Sequence, residues 1–252
     1  MQTNKAPILT VLIPALNEAE SIEGVVREAL GRLSPSFPDC ELIVIDDGST
    51  DGTDTALAGL LSEEPRIRLI VHPKRSGKSA ALRSGMLQAR SAWVATMDAD
   101  GQDDPAAILD MAAAIDLNLT GETGLVAGCR TNRTDGGSRK IASRFANWLR
   151  RSLLNDSCPD TGCGLKLIQR DVFLAMPYFD ALHRYLPAMT GHLGWKTANV
   201  PVVNRPRTAG QSKYTNIGRA FAGFFDLMGV VWLMRRTTIP DRALLYRKTD
   251  RA

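Results

Sequence analysis

Histidine is scarce. The three in this 252-residue chain, His72, His183 and His192, lie far apart with no serine motif beside them, so a Ser-His-Asp hydrolase is unsupported. Cysteine is scarce too. Cys40, Cys129, Cys158 and Cys163 are scattered, and no second Cys/His pair at zinc spacing accompanies the last two. A structural zinc site is not expected, and reduced thiols in a cytosolic protein are. No stretch of about 20 uninterrupted apolar residues exists to cross a bilayer. The nearest candidate, Ile217 to Met234, is broken by Arg219 and Asp226. Met1 to Pro7 is short and polar, and the apolar run after it has only strand length, so no signal peptide is expected. Repeats and low-complexity tracts are absent. No G-x-G-x-x-G follows the first apolar run, which removes the support for a dinucleotide oxidoreductase. Arg75-Ser76-Gly77-Lys78-Ser79 ends like a P-loop, but the glycine required five residues before Gly77 is His72, which excludes that class of NTPase.

What is present suits one large α/β domain or two small ones. The chain is 44% apolar and 23% charged, enough to bury a core and too apolar for a disordered chain. Its net charge of +4 conceals an asymmetry. Residues 1–129 hold 10 Lys and Arg against 19 Asp and Glu, a balance of −9, whereas residues 130–252 hold 21 against 8, or +13. A basic second half points to an anionic partner: a nucleotide, a nucleic acid or a membrane surface. No nucleic-acid-binding motif accompanies it, so nucleic acid is not expected.

Along the first half, strand and helix signals alternate. Ile8 to Ile13 reads as a β-rich strand ended by Pro14. Asn17, with Glu20 three residues on, reads as the cap of a helix whose apolar stripe is Ile22, Val25, Val26, Ala29, Leu30 and Leu33. Glu41 to Ile45, Ile67 to Val71, Trp93 to Met97 and Gly124 to Ala127 read as further strands, and Lys78 to Ala89 as a second helix. This rhythm predicts a mostly parallel central sheet with helices on both faces, binding its ligand beyond the carboxyl ends of the strands. The polar clusters Pro14–Glu18, Asp46–Ser49 and Asp98–Gln102 all fall at those ends. In the second half, Lys140 to Leu154 reads as an amphipathic helix. Its stripe is Ile141, Phe145, Trp148, Leu149 and Leu153, and Arg150 and Arg151 are among the basic residues of its flanks. Val200 to Asn204 reads as a late strand, and Ile217 to Met234 as an apolar C-terminal helix.

Asp98-Ala99-Asp100-Gly101-Gln102 carries the most specific chemistry. At extended spacing Asp98, Asp100 and Gln102 point the same way, and three oxygen donors suit Mg2+ or Mn2+, which leave positions for water and phosphate. A solvated acidic turn opening the next helix is the competing reading. In Asp46-Asp47-Gly48-Ser49-Thr50-Asp51 one carboxylate can accept hydrogen bonds from a base or ribose while the others serve the turn. Arg207 and Lys213 bracket a glycine turn that can clamp a diphosphate or simply be solvated.

In order and spacing, Ile13 to Glu18, Asp46 to Ser49, Gly77-Lys78, Asp98 to Gln102, Gly128-Cys129-Arg130, Asp160 to Gly164 and Arg207 to Tyr214 resemble the family 2 glycosyltransferases of the Rossmann-like GT-A fold. The resemblance is closest to the dolichol-phosphate mannosyltransferase-like, polyprenyl-phosphate branch, and runs from about Ile8 to about Tyr214. It implies an inverting hexosyltransferase that moves sugar from a GDP- or UDP-linked donor to undecaprenyl or dolichyl phosphate, making a lipid-linked donor for envelope glycan, lipid A or O-antigen modification. The alternatives are a saccharide acceptor, with Asp160 as base, or a non-catalytic nucleotide-sugar-binding module. It implies that Pro14, Leu16 and Glu18 line the nucleotide pocket, with Leu16 standing where an aromatic is frequent. Ile45 and Asp47 are then expected at base and ribose, and Lys78 and Ala99 beside the nucleotide. Asp98, Asp100 and Gln102 are expected on a Mg2+ or Mn2+ ion, and Arg207 and Lys213 on the donor diphosphate. The resemblance further implies that Arg130 and Arg139 face the acceptor phosphate and that Asp100, Arg130 and Asp160 form the catalytic group. Residues 1–214 are expected to make the catalytic domain, and residues 215–252 a helix and basic tail for the membrane surface or a membrane-protein partner, on the cytoplasmic face.

Overall fold

The computed structural model describes residues 8–115, 117, 121–131, 150–205 and 216–237, with the side chains of the last helix described from Gly223 onward. Seven strands form one sheet: β1 (Leu9–Ala15), β2 (Glu41–Asp46), β3 (Ile67–Val71), β4 (Trp93–Thr96), β5 (Thr123–Arg130), β6 (Lys166–Gln169) and β7 (Lys196–Val202). They lie in the order β3-β2-β1-β4-β6-β5-β7. β6 runs antiparallel to both neighbours, and every other pairing is parallel.

Alternation along the strands divides the core between two faces. Leu9, Val11 and Ile13 of β1, Leu42 and Val44 of β2, and Trp93 and Ala95 of β4 pack on one face with helices α1 (Ile22–Leu33) and α5 (Ala107–Ala113). Leu12, Ile43, Ile45 and Val94 pack on the other with α4 (Lys78–Gln88), α6 (Arg170–Ala175), α7 (Leu186–His192) and α8 (Asn216–Arg236). Two short helices, α2 (Thr53–Ala56) and α3 (Ala58–Glu63), join β2 to β3, and a 3-10 turn spans Leu182–Arg184. The expected α/β sheet with helices on both faces is therefore present. α4 lies so close to the sheet that a Cβ on Gly85 would stand 2.8 Å from a Leu12 methyl and 3.0 Å from Ile45 Cδ1.

Several local expectations are corrected. β1 does not stop at Pro14 but runs through it to Ala15, with Pro14 opposite Ile45 of β2. Pro14 lacks an N–H on the edge that faces β4. There the ladder has already ended, with Met97 N–H donating to Leu12 O at 3.1 Å, so no bond is lost. Asn17 caps no helix. It holds a left-handed φ of 56°, and α1 begins at Ile22. The strand expected at Gly124 to Ala127 runs Thr123–Arg130, and the late strand is Lys196–Val202. Of the helix expected over Lys140 to Leu154, residues 140–149 lie outside the described residues, and residues 150–154 are helical. Its stripe shifts by one there: Leu154 is buried and Leu153 exposed. Arg150, expected on a solvated flank, is buried, with its Nε 3.2 Å from Asp156 and its NH2 donating to Cys158 O at 2.6 Å. α8 splits its apolar residues between two faces. Leu227, Val230 and Val231 enter the core, whereas Phe224, Phe225, Met228 and Trp232 face outward. Among the described residues no helix is long and apolar enough to cross a membrane.

Candidate active site

The parallel strands β1, β2 and β4 all end on one rim, and their following loops meet there. Asn17 clips the first two together. Its N–H donates to Ser49 Oγ at 2.8 Å, and its Oδ1 accepts Thr50 N–H at 2.9 Å. Asp46 closes its own turn by accepting Ser49 N–H at 2.9 Å, and Asp51 accepts Ala19 N–H at 3.0 Å. Asp47 is buried and ties in the chain after β3. Its Oδ1 accepts Ser76 N–H and lies on His72 Nδ1, each at 2.8 Å, and its Oδ2 accepts Gly77 N–H at 2.7 Å. The 72–77 segment is thus pinned over the sheet edge, and α4 starts beside the pocket with Lys78 as its first residue.

These loops enclose a cavity of about 250 Å³. Eight of the residues expected to bind a nucleotide-sugar line it: Pro14, Leu16, Glu18, Asp47, Lys78, Asp98, Ala99 and Asp100. Arg75 and Ala81 line it as well, and neither was among the residues expected to bind the nucleotide-sugar. Ile45 does not. Its side chain is fully buried under α4, against Gly85, whereas Asp47 lies beyond the end of β2 at the rim. Gln102 sits at the edge, its Nε2 donating to Arg205 O at 3.4 Å. Arg205 N–H donates to Gln102 O at 2.9 Å, so the described chain is anchored at the rim two residues before Arg207. Arg207, Lys213 and Arg139 lie outside the described residues.

The charges at the rim are strongly coupled. The Lys78 ammonium pairs with Asp98 Oδ1. Burial works against its charge, but the Asp98 carboxylate outweighs that and holds Lys78 above its ordinary range. Asp98 is held low, its burial outweighed by Lys78. Asp103 supports this pair from below, with Oδ2 accepting Asp98 N–H at 2.8 Å. Burial, with the neighbouring Asp98 charge added, pushes Asp103 up to about 7. Gly164 leaves room for both carboxylates: a Cβ there would lie 2.5 Å from Asp103 Oδ2 and 2.7 Å from Asp98 Cγ. Among the described residues no three His, Cys, Asp or Glu form a metal cage. Asp98 and Asp100, which line the cavity, and the nearby Gln102 nonetheless supply oxygen donors that suit a divalent ion keeping water and phosphate ligands, and Asp98 already holds one cation, the Lys78 ammonium.

Arg130, at the end of β5, makes a two-pronged pair with buried Asp160, with Nε to Oδ2 at 2.7 Å and NH2 to Oδ1 at 2.9 Å. That contact raises Arg130 above its ordinary range.

Residues 10–175 match the family described as Glycosyl transferase family 2. This chain belongs to that family. As a family 2 glycosyltransferase it is 32% identical to a dodecaprenyl-phosphate galacturonate synthase of Rhizobium johnstonii, over 95% of this chain and 74% of that protein. An undecaprenyl-phosphate 4-deoxy-4-formamido-L-arabinose transferase of an Enterobacter species is 29% identical over 94% of this chain and 69% of its own length. A mannosyltransferase of Pyrobaculum calidifontis, solved with GDP-Man and Mn2+, shares the glycosyltransferase's fold at a TM-score of 0.67 and 20% identity, covering 94% of this chain and 67% of that one. A Mycobacterium tuberculosis glucosyl-3-phosphoglycerate synthase, solved with Mn2+ and UDP, does so at 0.66 and 23% identity, over 94% and 82%.

Proposed function

We propose that this glycosyltransferase moves a sugar from a GDP- or UDP-linked donor to a polyprenyl phosphate with inversion, at the cytoplasmic face of a membrane. Its product would be a lipid-linked sugar for envelope glycan, lipid A or O-antigen modification. The observation that carries the reading is the convergence of eight expected residues on one rim cavity, with the Asp98-Lys78 pair at its floor. The names of the relatives support the lipid acceptor.

In this reading Pro14, Leu16, Glu18 and Asp47 hold the nucleoside, and Lys78, Arg207 and Lys213 neutralise the diphosphate. A bound Mg2+ or Mn2+ on Asp98, Asp100 and Gln102 would spread the negative charge of the leaving nucleoside diphosphate. A phosphate monoester has its second pKa near ~6, so at neutral pH it is a dianion with no proton to remove. Its oxygen forms the new bond to the anomeric carbon as the bond to the diphosphate breaks, and no general base is needed. Asp160 is ill suited to that role because both its oxygens hold Arg130. Arg130 and Arg139 face the incoming phosphate, and the outward aromatic face of α8 meets the membrane surface or a membrane partner.

The test is transfer of labelled sugar from a panel of GDP- and UDP-sugars to undecaprenyl phosphate, with Mg2+ or Mn2+ and with chelator. Product from at least one donor, lost in chelator, is expected. Transfer only to free saccharides would overturn the lipid acceptor.

A further inference from the structure

A second cavity, of about 420 Å³, lies beside the first and shares Lys78 with it. Its walls carry Lys78, Lys166, Arg130 and Arg184, and no aspartate or glutamate is among the described residues lining it. Two of these cations are already engaged, Lys78 by Asp98 and Arg130 by Asp160. Lys166 differs. It stands opposite Thr96 where β6 meets the end of β4, it is buried, and its Nζ donates to two backbone carbonyls, Thr161 O at 3.3 Å and Cys163 O. Among the described residues no carboxylate forms an ion pair with it. Burying an ammonium against neutral carbonyls is unfavourable unless an anion completes the site. Burial and the nearby Lys78 accordingly pull Lys166 below its ordinary range. Leu82 and Leu186 add an apolar stretch of wall.

We propose that this cavity seats the phosphate monoester of the acceptor, with Lys166 and Arg184 as its anion-holding residues and Leu82 and Leu186 against the first prenyl carbons. This rests on the polyprenyl-phosphate reading and adds residues which that reading did not name. The donor diphosphate belongs with Lys78 and the Asp98–Asp100 pair in the first cavity. A dianion on Lys166 therefore approaches from the neighbouring cavity, across the shared Lys78 wall. The cavity is polar and cationic where the headgroup sits, and apolar only at Leu82 and Leu186.

The experiment compares wild type with Lys166→Met, Arg184→Gln and Arg184→Lys, using farnesyl phosphate as acceptor and the best donor of the panel. Loss of a charge-assisted contact predicts an acceptor KM raised about 10- to 100-fold in Lys166→Met and Arg184→Gln. Donor KM should stay within about twofold, and Arg184→Lys should recover most of the affinity. Farnesol, which lacks the phosphate, should not compete in any form of the protein. Unchanged acceptor KM in natively melting variants would overturn the assignment. So would a loss that tracks uronate-bearing donors instead, because the cavity would then read the sugar's carboxylate. If Lys166→Met does not fold, the two Arg184 variants decide. Wild type that transfers to no polyprenyl phosphate at all would sink the parent reading, which separates that failure from a misplaced seat.

Discussion

Gly164 lines the second cavity and backs onto Asp98, which lines the first, and Gly164→Ala tests the packing argument at that point. The added methyl would lie 2.5 Å from Asp103 Oδ2, 2.7 Å from Asp98 Cγ and 2.9 Å from Asp98 Oδ1. Neither carboxylate is free to withdraw. Asp98 Oδ1 holds Lys78, and Asp103 Oδ2 holds Asp98 N–H at 2.8 Å. Overpacking of this kind costs about 1–3 kcal/mol. Breaking one hydrogen bond to a charged group adds ~1.5–3 kcal/mol. The expected loss is on the order of 3 kcal/mol, or a fall in Tm of roughly 6–12 °C for a chain of this size. Because the displaced groups are Asp98 and its support, nucleotide binding should weaken as well. The control is Gly24→Ala on the exposed face of α1, where a Cβ meets nothing within 4 Å. There the same change should stabilise by about 0.5–1 kcal/mol through helix propensity. Urea unfolding and calorimetric titration with GDP and UDP measure both. A Gly164→Ala protein within ~0.5 kcal/mol of wild type, with unaltered nucleotide affinity, would refute the contact geometry.

Asp100→Ala should lower turnover by at least about 100-fold with the fold intact by circular dichroism, and normal turnover would remove Asp100 from the metal set. Asp160→Asn should destabilise the protein by about 2 kcal/mol in urea unfolding, since it leaves the half-buried Arg130 guanidinium without its two-pronged partner. In chelator, two opposed pH slopes are expected. Asp103 is raised from 3.8 to about 7, so the native state keeps a proton the unfolded chain has lost, and stability falls as pH rises across that range. His183 is lowered from 6.5 to about 3 by burial and Lys78, so stability rises with pH across that range. Urea unfolding of Asp103→Asn should then show stability climbing between about pH 4 and 6.5, and that of His183→Gln should show it falling, by up to ~1.4 kcal/mol per unit. Parallel profiles for the two would contradict the assignment. Finally, Phe225→Glu with Trp232→Glu should cut cosedimentation with anionic vesicles by at least about 100-fold, at ~1.5–3 kcal/mol per large apolar side chain. Retained binding would place the membrane contact elsewhere.

The residues of the rim cavity were legible from residue order because that cavity is built by short loops at the ends of parallel strands. A strand end followed by Pro14–Glu18, Asp46–Asp47 or Asp98–Asp100 places those residues on the rim with little help from the rest of the chain. Of the second cavity's wall, Arg130 was singled out in the sequence, but Lys166 and Arg184 were not. β6 is four residues long and antiparallel, and its burial at all four positions erases the alternation by which a strand is read. Lys166 is its first residue, and nothing in the sequence distinguishes a buried lysine from a solvated one. The burial of Ile45 and the turn made by Asn17 were illegible for a related reason. Which way a residue points at a strand end, and which loop it bonds, depends on pairing register and distant partners such as Ser49 and Thr50.

The reversed direction of β6 has an architectural consequence. A parallel strand presents its last residue to the rim, so the next segment must be a loop leading away. A reversed strand presents its first, and the loop that shapes it, residues 160–165, comes immediately before it. The described residues lining the first cavity therefore all precede residue 104, whereas most of those lining the second come from one stretch, Thr161 to Leu186, joined by Lys78, Leu82, Thr96 and Arg130 from outside it. On the proposed reading that stretch carries most of the acceptor's wall, and grafting it from a relative onto this chain should alter acceptor recognition more than donor recognition.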